Sequence, residues 1–148
     1  MKRLPNWVQR FEAVILDHKD VVFSWQKHNC CSFTAKCFEA ITGIDTMKDI
    51  NQDFKTKTEA YKAMFDYCGG DVAEAANKAA GEVGLREVKT LQAKRGDPVL
   101  VNWDKQDLLA TVDLSGRTVL AISPKDGLVH LPLASIVKAW SIDGTKRN

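Results

Sequence analysis

No apolar run in this sequence approaches the length of a membrane-spanning helix; the longest are strand-sized. Charge of one sign is also scarce. The formal net charge is only +2 over 148 residues, the basic residues are spread out, and no block of like charges occurs. This speaks against a nucleic-acid-binding surface and a membrane span. There is no internal repeat and no low-complexity tract. Cysteine is limited to positions 30, 31, 37 and 68, with no CxxC pair, so no zinc site is indicated. Adjacent Cys30 and Cys31 suit a disulfide framework poorly, and free, mostly buried thiols are expected. The N-terminal stretch opens with Lys2-Arg3 but is interrupted by Asn6, Gln9, Arg10 and Glu12. It therefore does not read as a secretory signal, and synthesis in a reducing cytoplasm is the default expectation. Lys146-Arg147 reads as a second solvated basic cluster. Histidine is rarer still, with three in the chain, at 18, 28 and 130. No cofactor or metal is expected. Asp49, Asn51 and Asp53 imitate the start of a calcium loop, but Phe54 and Ala60 stand where that loop needs glycine and glutamate.

What is present is ordinary for one globular domain spanning residues 1–148: 45% apolar and 27% charged residues, with four tryptophans and six phenylalanines as bulky anchors. Residues 5–17 predict an amphipathic helix, with Trp7, Val8, Phe11, Val14 and Ile15 on one face. After a short apolar segment, Val21–Trp25, a second helix is predicted to 42, with Asn29 as N-cap and Gly43 at its end. Cys30, Phe33, Cys37 and Ile41 would form its buried stripe. A third helix places Tyr61, Met64, Phe65 and Cys68 together and stops at Gly69-Gly70. A fourth opens with the box Asp71-Val72-Ala73-Glu74 and would bury Val72, Ala75, Ala76, Ala79 and Val83 against a neighbouring helix. Beyond Gly84 the period changes. Strands are predicted at 97–103, 108–114, 118–122 and 128–131, then a helical turn at 133–138 and a last strand at 139–142. Helices first and antiparallel strands second is an α+β arrangement.

One position stands out chemically. A cysteine that opens a buried helix meets unpaired amides and the positive end of the helix dipole, which favour a thiolate. A cysteine hydrolase adds a histidine base and a third polar group to orient it. The stretch around Trp25, His28, Asn29 and Cys30, running to Thr42, Gly43 and Asp45, resembles the nucleophile region of NlpC-type (papain-like) cysteine peptidases. It is more similar still to a phage and prophage family of unknown function related to them. Lys94-Arg95-Gly96-Asp97-Pro98-Val99-Leu100 resembles that family's Gly-Asp turn into the first core strand. Asp126-Gly127-Leu128-Val129, with Ala139-Trp140-Ser141-Ile142, resembles its closing hairpin.

The resemblance implies a papain-like fold, Cys30 as the nucleophile position, and a place in the phage tail. It also exposes departures. The family's base histidine falls at Leu109 or Ala110, its third polar group near Ile122 or Ser123, and its aspartate before the cysteine at Asn29. Of the remaining histidines, His28 lies two residues before Cys30 and is the candidate substitute. As bland readings, His28 bonds backbone near the cap, His130 sits packed or at the rim of a strand, and His18 ends the first helix as a favourable cation. Arg95-Gly96-Asp97 reads as turn chemistry rather than an adhesion motif, and most tryptophans as core.

The expected function is a structural tail-tip or baseplate component with a degenerate peptidase fold, contacting other phage tail proteins in the virion. The alternative is an active hydrolase that cuts peptidoglycan with Cys30 and an unorthodox histidine. A host-directed binding module ranks third.

Overall fold

The computed structural model describes residues 1–48, 50 and 52–143. Asp49 and Asn51 of the calcium-like string, and Lys146-Arg147, lie outside the described residues. Four helices lead: α1 (Trp7–His18), α2 (Cys30–Thr42), α3 (Lys57–Cys68) and α4 (Val72–Glu82). Their starts follow from local chemistry. Asn29, Thr56 and Asp71 each accept hydrogen bonds from first-turn amides of α2, α3 and α4, while α1 has no side-chain cap. Gly43 and Gly69 end α2 and α3 in the left-handed conformation that glycine adopts without strain.

The second half is a six-stranded sheet of β1 (Arg86–Val88), β2 (Pro98–Trp103), β3 (Gln106–Val112), β4 (Thr118–Ser123), β5 (Gly127–Pro132) and β6 (Ile136–Ser141). Its order is β1-β6-β2-β3-β4-β5, with every neighbouring pair antiparallel. The α+β reading therefore holds, as one domain of helices packed on an antiparallel sheet.

Alternation along the strands sorts two faces. Leu120 and Ile122 point to the helices, joining Phe11, Phe33, Cys37 and Ile41. Farther along that face, Leu100 and Trp140 pack with Ala76 and Ala80 of α4. The opposite face carries Val99, Val101, Leu108, Ala110, Val112, Val119, Ala121 and Ala139, all buried. Cys30 at the tip of α2 packs against this face, together with Val88, Ala93 and Val129. Burial of that face requires the sheet to curl round its own side chains.

Several expectations are corrected. β1 was not foreseen. The helical turn is confined to Leu133–Ser135, and the chain is already strand from Ile136. In α4 the buried alanines are Ala76 and Ala80, and they face the sheet; Val72, Ala75, Ala79 and Val83 are only partly covered. Only Trp140 of the tryptophans is buried. His18 does end α1, and it is buried there, with Nδ1 donating to the Val14 carbonyl at 2.9 Å and its ring edge-on to Phe33. His130 is exposed on β5.

The Gly96-Asp97 turn locks the two ends of the domain together. Asp97 is fully buried and accepts from the amides of Lys94 (2.9 Å) and Ile142 (3.1 Å) and from Arg3 (3.1 Å). It is unavailable as an adhesion ligand. Arg3 also donates to Asp143 at 3.0 Å and lies over the Trp7 ring.

Candidate functional site

Asn29 builds the start of α2 from both ends of its amide. Oδ1 accepts from the Ser32 amide at 2.9 Å, the Ser32 hydroxyl accepts from the Asn29 amide at 3.0 Å, and Nδ2 donates to the Trp25 carbonyl at 2.7 Å. That last bond needs a donor, which the family's aspartate would lack. It draws Trp25 toward the cap and sets Cys30 at the first position of the helix.

The Cys30 sulfur lies 4.0 Å from that of Cys31. A hydrogen bond from the Cys31 thiol lowers the Cys30 pKa most, and the backbone amides of Leu109, Cys31 and Cys30 add to it against the cost of burial. Cys31 moves the other way, its thiol committed to Cys30 and desolvated. Cys37 is pushed up by burial alone, only partly offset by Thr111. All four cysteines are free thiols.

The helix presents two stripes rather than one. Phe33, Cys37 and Ile41 enter the main core, as expected from their spacing. Cys30 does not join them. It packs toward the curled face of the sheet and, with Thr34 and Phe38 at four-residue intervals, borders a cleft of about 840 Å³. The far walls come from α3 and α4, through Tyr61, Met64, Phe65, Val72, Ala75 and Ala79, and the floor from Leu109 and Trp140. α3 buries none of its residues, because its apolar face opens onto this space; Tyr61 and Phe65 are 54% and 62% exposed. Trp25 meets Tyr61 edge-on across it, with ring centroids 6.0 Å apart.

The partners expected of a hydrolase are elsewhere. Of the two positions matching the family's base, Ala110 is sealed in the curled face, and Leu109 lines the same cleft as Cys30, its backbone amide helping to lower the Cys30 pKa. His28 is held in a tight bridge with Ser24, through backbone bonds of 3.0 and 3.1 Å, and its ring faces His18 at 5.7 Å. Desolvation, then Lys36, His18 and Lys27, lower its pKa, and Nδ1 has no partner among the described residues. His130 lies on β5, two strands from β3. At the third polar position, Ile122 is buried and the Ser123 hydroxyl accepts from the Asp126 amide at 3.0 Å, closing the β4–β5 turn. The structure thus gathers Cys30, Cys31 and the Leu109 amide, and brings no imidazole to the sulfur among the described residues.

Sequence reasoning missed Thr34 as a cleft residue, although four-residue spacing from Cys30 was a usable signal. Among the described residues, no group of three or more His, Cys, Asp or Glu side chains is placed to hold a metal, and no helix is long and apolar enough to cross a membrane. No curated protein matches the chain. Residues 2–142 match the family described as Domain of unknown function (DUF6950), and the chain belongs to that family.

Proposed function

We propose that this protein is a non-hydrolysing, NlpC-like domain of papain type that serves as a structural component of a phage tail tip or baseplate, contacting other tail proteins. The observation that carries the loss of hydrolysis is the neighbourhood of Cys30. Its sulfur is met by Cys31, and Leu109, at the position that matches the family's base, lines the same cleft. Amide cleavage expels an amine that must be protonated as it leaves, a task the family gives to histidine. Leucine cannot do it. The helix start, the Gly-Asp turn and the closing hairpin are the segments that carry the resemblance, and with no base at Cys30 among the described residues they support a role exercised through binding surfaces rather than turnover.

Two measurements test the reading. Purified protein incubated with peptidoglycan fragments should release no new amine termini above the Cys30→Ala background. Quantitative mass spectrometry of particles purified from the source of this sequence should find the chain in fixed ratio to tail proteins. Cys30-dependent cleavage would favour the hydrolase alternative. Absence from particles, with the chain abundant in the lysate that produced them, would overturn the tail assignment.

A further inference from the structure

The cleft beside Cys30 has features that a contact surface does not need. Its volume of about 840 Å³ lies within the range of small-molecule sites, and its walls are largely apolar. Thr34 lines it one helical turn from Cys30, is only 6% exposed, and its Oγ1 has no hydrogen-bond partner among the described residues. A buried hydroxyl left without a partner is costly, and one that lines a cavity beside a nucleophile is placed to serve a ligand's polar atom. The cleft thus offers a thiol, a free hydroxyl and a backbone amide at one end, with an apolar trough beyond.

We propose that this cleft binds acyl thioesters with an apolar chain and that Cys30 accepts the acyl group. The leaving group selects the substrate class. A thioester releases a thiolate, with a pKa of about 8.5, so no proton donor is required and the missing histidine is no obstacle. In the step, the Cys30 thiolate attacks the thioester carbonyl, a new carbon–sulfur bond forms at Cys30, and the original carbon–sulfur bond breaks. The departing thiolate takes up from solvent the proton that Cys30 gave to it. The Leu109 amide and the Thr34 hydroxyl are the donors near the carbonyl oxygen. The chain lies along Phe38, Ala75, Ala79 and Met64. With no imidazole at the sulfur to activate water, the product is a lasting S-acyl protein.

The test uses the full chain with octanoyl and acetyl thioesters of N-acetylcysteamine at pH 7, followed by intact mass and peptide mapping. Octanoylation is expected at Cys30, reversed by neutral hydroxylamine, absent in Cys30→Ala, and faster than acetylation by on the order of tenfold or more from chain burial. Thr34→Val should slow octanoylation several-fold while iodoacetamide labels Cys30 at the wild-type rate. Ala79→Trp, which fills the trough, should reduce the octanoyl rate to the acetyl rate with the same control intact. Equal rates for the two thioesters on the wild-type chain, or acylation that survives Cys30→Ala, would overturn the proposal. The wild-type comparison decides alone if Ala79→Trp does not fold.

Discussion

Replacing Asp97 tests how the two ends of the domain are joined. Its carboxylate accepts from Lys94, Ile142 and Arg3 at full burial. In Asp97→Ala the Lys94 and Ile142 amides lose their acceptor, at about 1–3 kcal/mol each. Arg3 is not stranded, because Asp143 and the Trp7 ring still hold it. A loss of about 3–5 kcal/mol is expected, from a total on the order of 10 kcal/mol. Asp97→Asn keeps one acceptor oxygen but turns an amino group toward an amide donor, so about half that loss is expected. Acid gives a second signature. Desolvation raises the Asp97 pKa, outweighing its amide donors and Arg3. A carboxyl whose folded pKa lies above its unfolded value binds its proton more tightly when folded. Its contribution is therefore greatest at acid pH and declines as pH rises through the folded pKa. The advantage of wild type over Asp97→Asn should accordingly be larger near pH 4 than at pH 7. Urea unfolding followed by tryptophan fluorescence at both pH values measures it. An Asp97→Ala loss below about 1 kcal/mol would refute the hydrogen-bond accounting. A wild-type advantage that grows toward neutrality would refute the dominance of desolvation.

Gly96 has φ +83°, and an added Cβ would lie 2.8 Å from Ile41 Cδ1, so Gly96→Ala should cost about 2–4 kcal/mol in the same assay. The β2–β3 turn holds Asp104 and Lys105 at φ 52° and 63°; Lys105→Gly should stabilise by about 0.5 kcal/mol in thermal unfolding, the relief of strain exceeding the entropy cost of glycine. Thiolate-selective alkylation with peptide mapping at pH 7 should label Cys30 first and leave Cys37 unmodified, since the two thiols are shifted in opposite directions. The His28 pKa is depressed from 6.5, chiefly by burial, so protonation opposes folding; His28→Gln should gain on wild type in urea midpoints as pH falls below that value.

Much of this architecture could be read in advance where local chemistry decides it. Asn29, Gly43, Gly69 and Asp71 are strong punctuation, and they placed α2, α3 and α4 within a residue or two. β1 escaped because Arg86-Glu87-Val88 exists as a strand only through its pairing with β6, a tertiary contact with no local pattern. The helical turn at 133–138 failed for the same reason: β6 recruits Ile136 into the ladder with Val101. At the site, helical spacing correctly grouped Phe33, Cys37 and Ile41. It could not reveal that Cys30 turns toward the curled face, because that depends on how the sheet bends. The end of α1 at His18 was legible, but its burial was not, because Phe33 and His28, which pack against its ring, arrive from later in the sequence.

The Arg3 clasp on Asp143 spans 140 positions of chain. A growing polypeptide emerges from the ribosome one end first, so the opening segment is free long before its counterpart exists. The four helices must be made and kept from aggregating while every strand that shelters them is still untranslated. Contacts so remote in sequence are slow to close. The bond between Arg3 and Asp143 therefore cannot form until β6 has been made, and a chain stalled before β6 would carry Phe11 and Phe33 without the complete sheet that buries them, prey to chaperones and proteases.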